Sequence, residues 1–178
     1  LRWEIGHTAY FYEYWILRQH LGEPPLLPQA DALFDSITID HDSRWDLPLP
    51  ELPDVLAYMQ AVEDRVCENL ATVSQDPERD YLTQYAVYHE DMHTEAFTYT
   101  RQTLGYPAPV FDVKPPNPGS PGGLAGDAAI PGGSFMLGAQ PGSGFVFDNE
   151  KWAHRCDVAP FRIARAAVSN QEFAAFVD

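Results

Sequence analysis

Residues 88–96 read Tyr-His-Glu-Asp-Met-His-Thr-Glu-Ala, with His89 and His93 four positions apart. On a helix turning about 100° per residue the two stand only roughly 40° apart, so both imidazoles share one face and can grip one metal ion. The segment also satisfies H-E-x-x-H, the zinc-hydrolase pattern in which Glu90 would serve as general base, so the pattern alone leaves the metal open. Glu95 is a tempting third ligand for a two-histidine, one-carboxylate site. The same geometry puts it roughly 240° from His89 and 200° from His93, facing away from both. A supporting role between helices suits Glu95 better, and the third ligand must come from another element.

Outward from this stretch, a helix is expected from about Asp76 to Leu104, stopped by Gly105 and Pro107. Another fits Pro53 to about Thr72, with Val55, Leu56, Met59, Val62, Val66 and Leu70 at helical spacing. The stretch from Gly22 to Pro53 holds six prolines, which rule out one continuous helix. Residues 1 to about 20 put Trp3, His7, Tyr10, Phe11, Tyr14, Trp15 and Leu17 near the spacing of an amphipathic helix. Of the four other histidines, His7 lies on this aromatic face, His20 falls at the helix end and His41 in a polar loop, while His154 lies in the later half. His7 is therefore the chosen third ligand. Three neutral imidazoles leave coordination positions open, which suits a metal that must bind substrate and oxygen together.

Downstream the texture changes. Residues 107–127, which include the run KPPNPGSPGG, read as a Pro/Gly-rich linker. Beyond it come short β-like pieces broken by glycine: PGGSFMLGA (131–139), GFVFDNE (144–150) and CDVAPFRIA (156–164), then a helix start at Ser169. About fifty residues ending in mid-helix cannot enclose a large core, so this second domain reads as truncated. The start, LRWEIGHTAYFYEYW, likewise reads as truncated and lacks the basic-then-apolar layout of a targeting peptide.

Composition narrows the partners. Eleven Lys plus Arg against 26 Asp plus Glu give a formal charge of −15, which repels phosphate backbones and anionic lipid and argues against nucleic acid. Apolar residues make up 45%, but no run of about 18 occurs, so no membrane span is expected. The two cysteines, Cys67 and Cys156, form no C-x-x-C and read as reduced thiols of a cytoplasmic protein.

HEDMHTE (89–95) resembles the H-x3-H-x-E signature of the DinB-like domain in the sulfoxide synthases of ergothioneine biosynthesis and in their relatives, the ovothiol and selenoneine synthases. EIGHTAYFYEYW (4–15) is similar to the family segment carrying the remaining ligand, and IPGGSFMLGA (130–139) with residues 145–178 resembles the opening of the formylglycine-generating-enzyme-like domain that comes after it. The resemblance implies an α+β chain: a DinB-like helical bundle over 1–106, the linker 107–127, and over 128–178 the beginning of a mixed α/β, C-type-lectin-like domain. It implies iron(II) held by His7, His89 and His93 between the first and third long helices. It further implies hercynine as substrate, dioxygen as oxidant, and a thiol or selenol partner joined to the imidazole carbon between the two nitrogens.

Two departures point within the family. Ergothioneine enzymes usually carry glutamine just before the second motif histidine, where it helps hold hercynine; here that position is Met92. They also tend to present paired arginines for the carboxylates of γ-glutamylcysteine, whereas HDSRWD (41–46) offers Arg44 alone. One arginine is a poor clamp for two carboxylates. The HEDMH form and LFDSITIDHDSRWDLPLP (33–50) look more like the selenoneine synthase branch, whose partner is a selenosugar, with Met92 and Arg44 at the substrate.

Overall fold

A computed structural model describes residues 1–72, 75–110, 112 and 124–177. The chain divides into two compact units, Leu1–Pro109 and Val110–Asp178. The first is helical and the second is built on short strands, giving an α+β architecture.

In the first unit, α1 (Arg2–Tyr12) runs on without a break into wider, π-helical turns over Glu13–His20. A short α2 (Ala30–Phe34) and a 3-10 turn (His41–Trp45) occupy the proline-rich stretch, succeeded by α3 (Leu52–Thr72) and α4 (Pro77–Thr103). The first helix thus spans the expected residues, but its period changes at Glu13. Each π-helical turn takes up an extra residue and so rotates the later positions, leaving Glu13, Ile16 and Leu17 facing inward while Tyr14 and Trp15 stay half-buried. In α3 the core positions are Val55, Tyr58, Val62 and Val66, whereas Leu56 is 41% and Leu70 37% exposed. Asp76 caps α4 by accepting a hydrogen bond from the Arg79 amide at 3.0 Å, and Pro77 comes next at the first helical position.

The core joins Trp3, Tyr10, Ile16, Leu17, Leu33, Phe34, Val55, Tyr58, Val62 and Val66. A buried polar side chain, Glu13, packs beside it. Glu13 accepts hydrogen bonds from the Tyr58 hydroxyl at 2.5 Å and from the Leu26 amide, which pins the chain after the first helix back onto its π-helical turns. Tyr58 in turn stacks on Phe34, ring centroids 6.1 Å apart.

Phe34 can reach α1 only because residue 6 is glycine. A Cβ at Gly6 would collide with the Phe34 ring, and that ring is fully buried. Gly6→Ala should therefore destabilise the unit by about 1–3 kcal/mol through overpacking, less the helix propensity that alanine gains. Urea unfolding would read this as a lower midpoint with unchanged slope; a raised midpoint would show that Phe34 moves aside freely.

In the second unit β1 (Asp127–Ile130) pairs antiparallel with β4 (Phe161–Ala164), and β2 (Gly133–Leu137) pairs antiparallel with β3 (His154–Val158). Gly132 links β1 to β2 at φ 77°, where a Cβ would meet the Val158 carbonyl oxygen at 2.5 Å. The run 156–164, expected as one piece, is divided at Ala159–Pro160 into the ends of two strands. GFVFDNE is not a strand: it holds a 3-10 turn over Asp148–Glu150, where the Glu150 carboxylate accepts from the Phe147 amide. Ser169 and Glu172 exchange hydrogen bonds at the start of α5 (Asn170–Val177), a reciprocal cap. β1 starts inside the stretch read as linker, most of which lies outside the described residues.

Candidate metal centre

α1 and α4 cross so that His7, His89 and His93 meet, with one ring nitrogen of each within 4.8 Å of the others. The Nε2 atoms of His7 and His89 are 3.2 Å apart, and those of His93 and His89 are 3.1 Å apart.

The far side of each ring is held differently. His7, 4% exposed, donates from Nδ1 to the Phe34 carbonyl at 2.7 Å. Trp3, one turn earlier, donates to the Leu33 carbonyl at 2.9 Å and stacks on the His7 ring at 4.5 Å. Both side chains thus satisfy carbonyls that the end of α2 leaves without intrahelical partners. His93 donates from Nδ1 to the carboxylate of Glu4, which reaches across from α1. His89 lies flat against Phe11, ring centroids 3.7 Å apart, and its buried Nδ1 has no hydrogen-bond partner among the described residues.

These contacts define the protons. With Nδ1–H on His7 and His93, both Nε2 lone pairs point at His89 Nε2, which can donate to one of them at most. A shared cation resolves the conflict. Nitrogens about 2.1 Å from one ion at 90–109° lie about 3.0–3.4 Å apart, and the observed separations fall in that range. Three neutral imidazoles on one side of an ion suit a first-row divalent metal and leave the opposite side open.

Burial holds His7 down to about 4, and burial with the neighbouring imidazoles holds His89 down to about 3. Both rings are therefore neutral and ready to ligate at pH 7. In an unfolded chain they titrate near 6.5, so between about 6.5 and 4 the unfolded state binds more protons and stability falls as pH falls. Metal-free protein unfolded in urea at pH 7 and again at pH 5 should lose a kcal/mol or more, on the order of one pKa unit's worth. Equal stability at the two pH values would show that these rings are not held neutral.

The other candidates fall elsewhere. His20 pairs with Asp76 at 2.7 Å, His41 is exposed beside Asp42, and His154 stands on β3. Glu90 accepts from the Tyr12 hydroxyl at 2.8 Å and lines a cavity between α1, α3 and α4 that none of the three histidines borders. This leaves it poorly placed as a general base. Glu95, read as a support between helices, has an exposed side chain. The carboxylate that reaches a histidine belongs instead to Glu4, which carried no motif signal because its partner is 89 residues away.

Met92 is 53% exposed, one residue before His93. The Arg44 guanidinium lies 4.0 Å over the Trp3 ring, continuing the stack that begins at His7. With Arg2, Trp3, Glu4 and Trp45 it borders a cleft of about 220 Å³.

A helical unit carrying three convergent imidazoles is thus joined to a strand-rich unit, and residues 116–178 match the sulfatase-modifying factor enzyme 1-like domain family. The whole chain is similar to hercynine oxygenases: 32% identical to that of Mycolicibacterium smegmatis over 185 residues and 31% to that of Mycobacterium tuberculosis over 198, covering 100% of this chain and 42% of each relative. The similarity runs over the whole of this chain and does not distinguish the selenoneine branch. A formylglycine-generating enzyme of Streptomyces coelicolor is 37% identical over 71 residues, 40% of this chain and 23% of its own length. The chain therefore spans less than half of the curated relatives it matches. Among the described residues no helix is long and apolar enough to cross a membrane, and Cys67 and Cys156 are free thiols.

Proposed function

We propose that this chain carries the iron(II) site of an enzyme that uses dioxygen to join selenium or sulfur to the imidazole of hercynine. The carrying observation is the meeting of three Nε2 atoms in a chain similar throughout to hercynine oxygenases. Bound there, iron(II) supplies redox chemistry and open positions at which an imidazole, a chalcogen donor and oxygen can meet. His7, His89 and His93 hold it from one side. The reaction balances when the imidazole C–H hydrogen and the S–H or Se–H hydrogen leave as water with one oxygen atom, and the other oxygen stays on sulfur or selenium.

Within that reading, a selenosugar is the favoured donor. Met92 cannot make the hydrogen bonds of the glutamine it stands for, and Arg44 offers one cation where a dipeptide donor presents two carboxylates. Arg44 borders a cleft shared with Trp3 and Glu4, the side chains that touch His7 and His93, and there it can hold the donor; Met92, the exposed residue before His93, is taken as the hercynine contact. With the helical bundle taken as 1–106 and the linker as 107–127, the metal ligands all belong to the helical unit.

Oxygen uptake by the full-length, iron-loaded enzyme with hercynine tests this, offering a selenosugar, cysteine and γ-glutamylcysteine in turn and weighing the products. Selenium incorporation supports the favoured donor. Sulfur incorporation alone returns the enzyme to ergothioneine-type synthesis, and no uptake with any donor overturns the oxygenase reading. Arg44→Ala should raise KM for the donor more than for hercynine; equal effects would make Arg44 a structural anchor on Trp3.

A further inference from the structure

We infer that Glu4 is a positioning residue for the metal centre, making His93 the strongest of the three nitrogen donors. The inference rests on the three-histidine metal reading. The three rings are backed unequally: His7 by a neutral carbonyl, His89 by no hydrogen bond among the described residues, and His93 by a carboxylate. A carboxylate accepting from Nδ1–H fixes that proton, so the Nε2 lone pair faces the centre. Its charge also pushes electron density toward Nε2 and strengthens the metal bond.

The placement comes from helix geometry. Glu4 and His7 lie three residues apart on α1, so they share a face, and that face is the one α4 crosses. α1 thus contributes one ligand directly and steadies a second that belongs to α4. Glu4 is partly shielded, its side chain 28% exposed against 18% for His93, so the pair is only modestly screened. His89, lacking any such support among the described residues, becomes the weakest donor.

The test titrates cobalt(II) into the metal-free full chain, reading affinity by competition with a chelator and geometry by the visible absorption bands. Glu4→Ala should weaken cobalt(II) by about 10- to 100-fold and alter the bands, with Glu4→Gln, which keeps an acceptor but no charge, falling between. Far-UV circular dichroism and the unfolding midpoint of the metal-free variants should match the unsubstituted chain, which separates positioning from folding. Glu95→Ala removes the same charge from an exposed site on α4 and should leave affinity unchanged. Wild-type affinity in Glu4→Ala, or an equal loss in Glu95→Ala, overturns the inference alone. Failure of the unsubstituted chain to bind cobalt(II) or iron(II) overturns the metal reading as well.

Discussion

Replacing His89 or His93 with alanine is expected to abolish metal binding at micromolar concentrations. Structural metal sites with four ligands bind with about 10–16 kcal/mol, so one ligand is worth about 2.5–4 kcal/mol, on the order of a hundredfold to a thousandfold in affinity. The loss is larger when the remaining ligands number only two, because among the described residues no neighbouring side chain is placed to substitute. Glu95 is exposed, Glu90 is engaged by Tyr12, and Glu4 faces the other nitrogen of His93. The metal-free variants should still fold, since the core is built from Ile16, Leu17, Phe34, Val55 and Val62 and not from the half-buried His89 and His93. Calorimetric titration with iron(II) under anaerobic conditions reads the first part and circular dichroism the second. Iron bound at full stoichiometry by either variant would remove that histidine from the ligand set.

Phe34→Ala should give the largest loss of stability, about 3–5 kcal/mol, because a fully buried ring is deleted where α1, α2 and α3 meet. Set against about 5–15 kcal/mol for a whole domain, that is enough to leave the helical unit marginal. The same change should reach the metal centre, since the Phe34 carbonyl orients His7 and the ring fixes where that carbonyl stands. Phe34→Leu is the informative companion: it fills most of the space, keeps the fold and should weaken metal binding less. Urea unfolding paired with metal titration checks both effects. A loss of stability in Phe34→Ala with no change in affinity would show that His7 is held in place by Trp3 alone.

How far the sequence could be read depends on the range of the interactions involved. His89 and His93 were legible because an i, i+4 pair is a local fact of helix geometry. His7 was legible less directly, as a polar residue on an aromatic helical face. Glu4 was not, because its partner lies in a helix 89 residues away. The buried Glu13 was equally hidden, since only the π-helical turns and the meeting with Tyr58 turn a surface-looking residue inward. Among the pieces read as β-like, GFVFDNE carries a consecutive apolar run but spends its polar end in a 3-10 turn.

By itself, then, the sequence determined the helical segments of the first unit, the change to short strands beyond the linker, and the histidine pair, because these depend on spacing along one chain. Only the tertiary structure decided which carboxylate backs a histidine, which carbonyl orients another, and which nitrogen of each ring faces the centre. Those depend on where α1, α2 and α4 come to rest against one another, and that is set by packing features such as the close approach of Phe34 to Gly6, which no local pattern records.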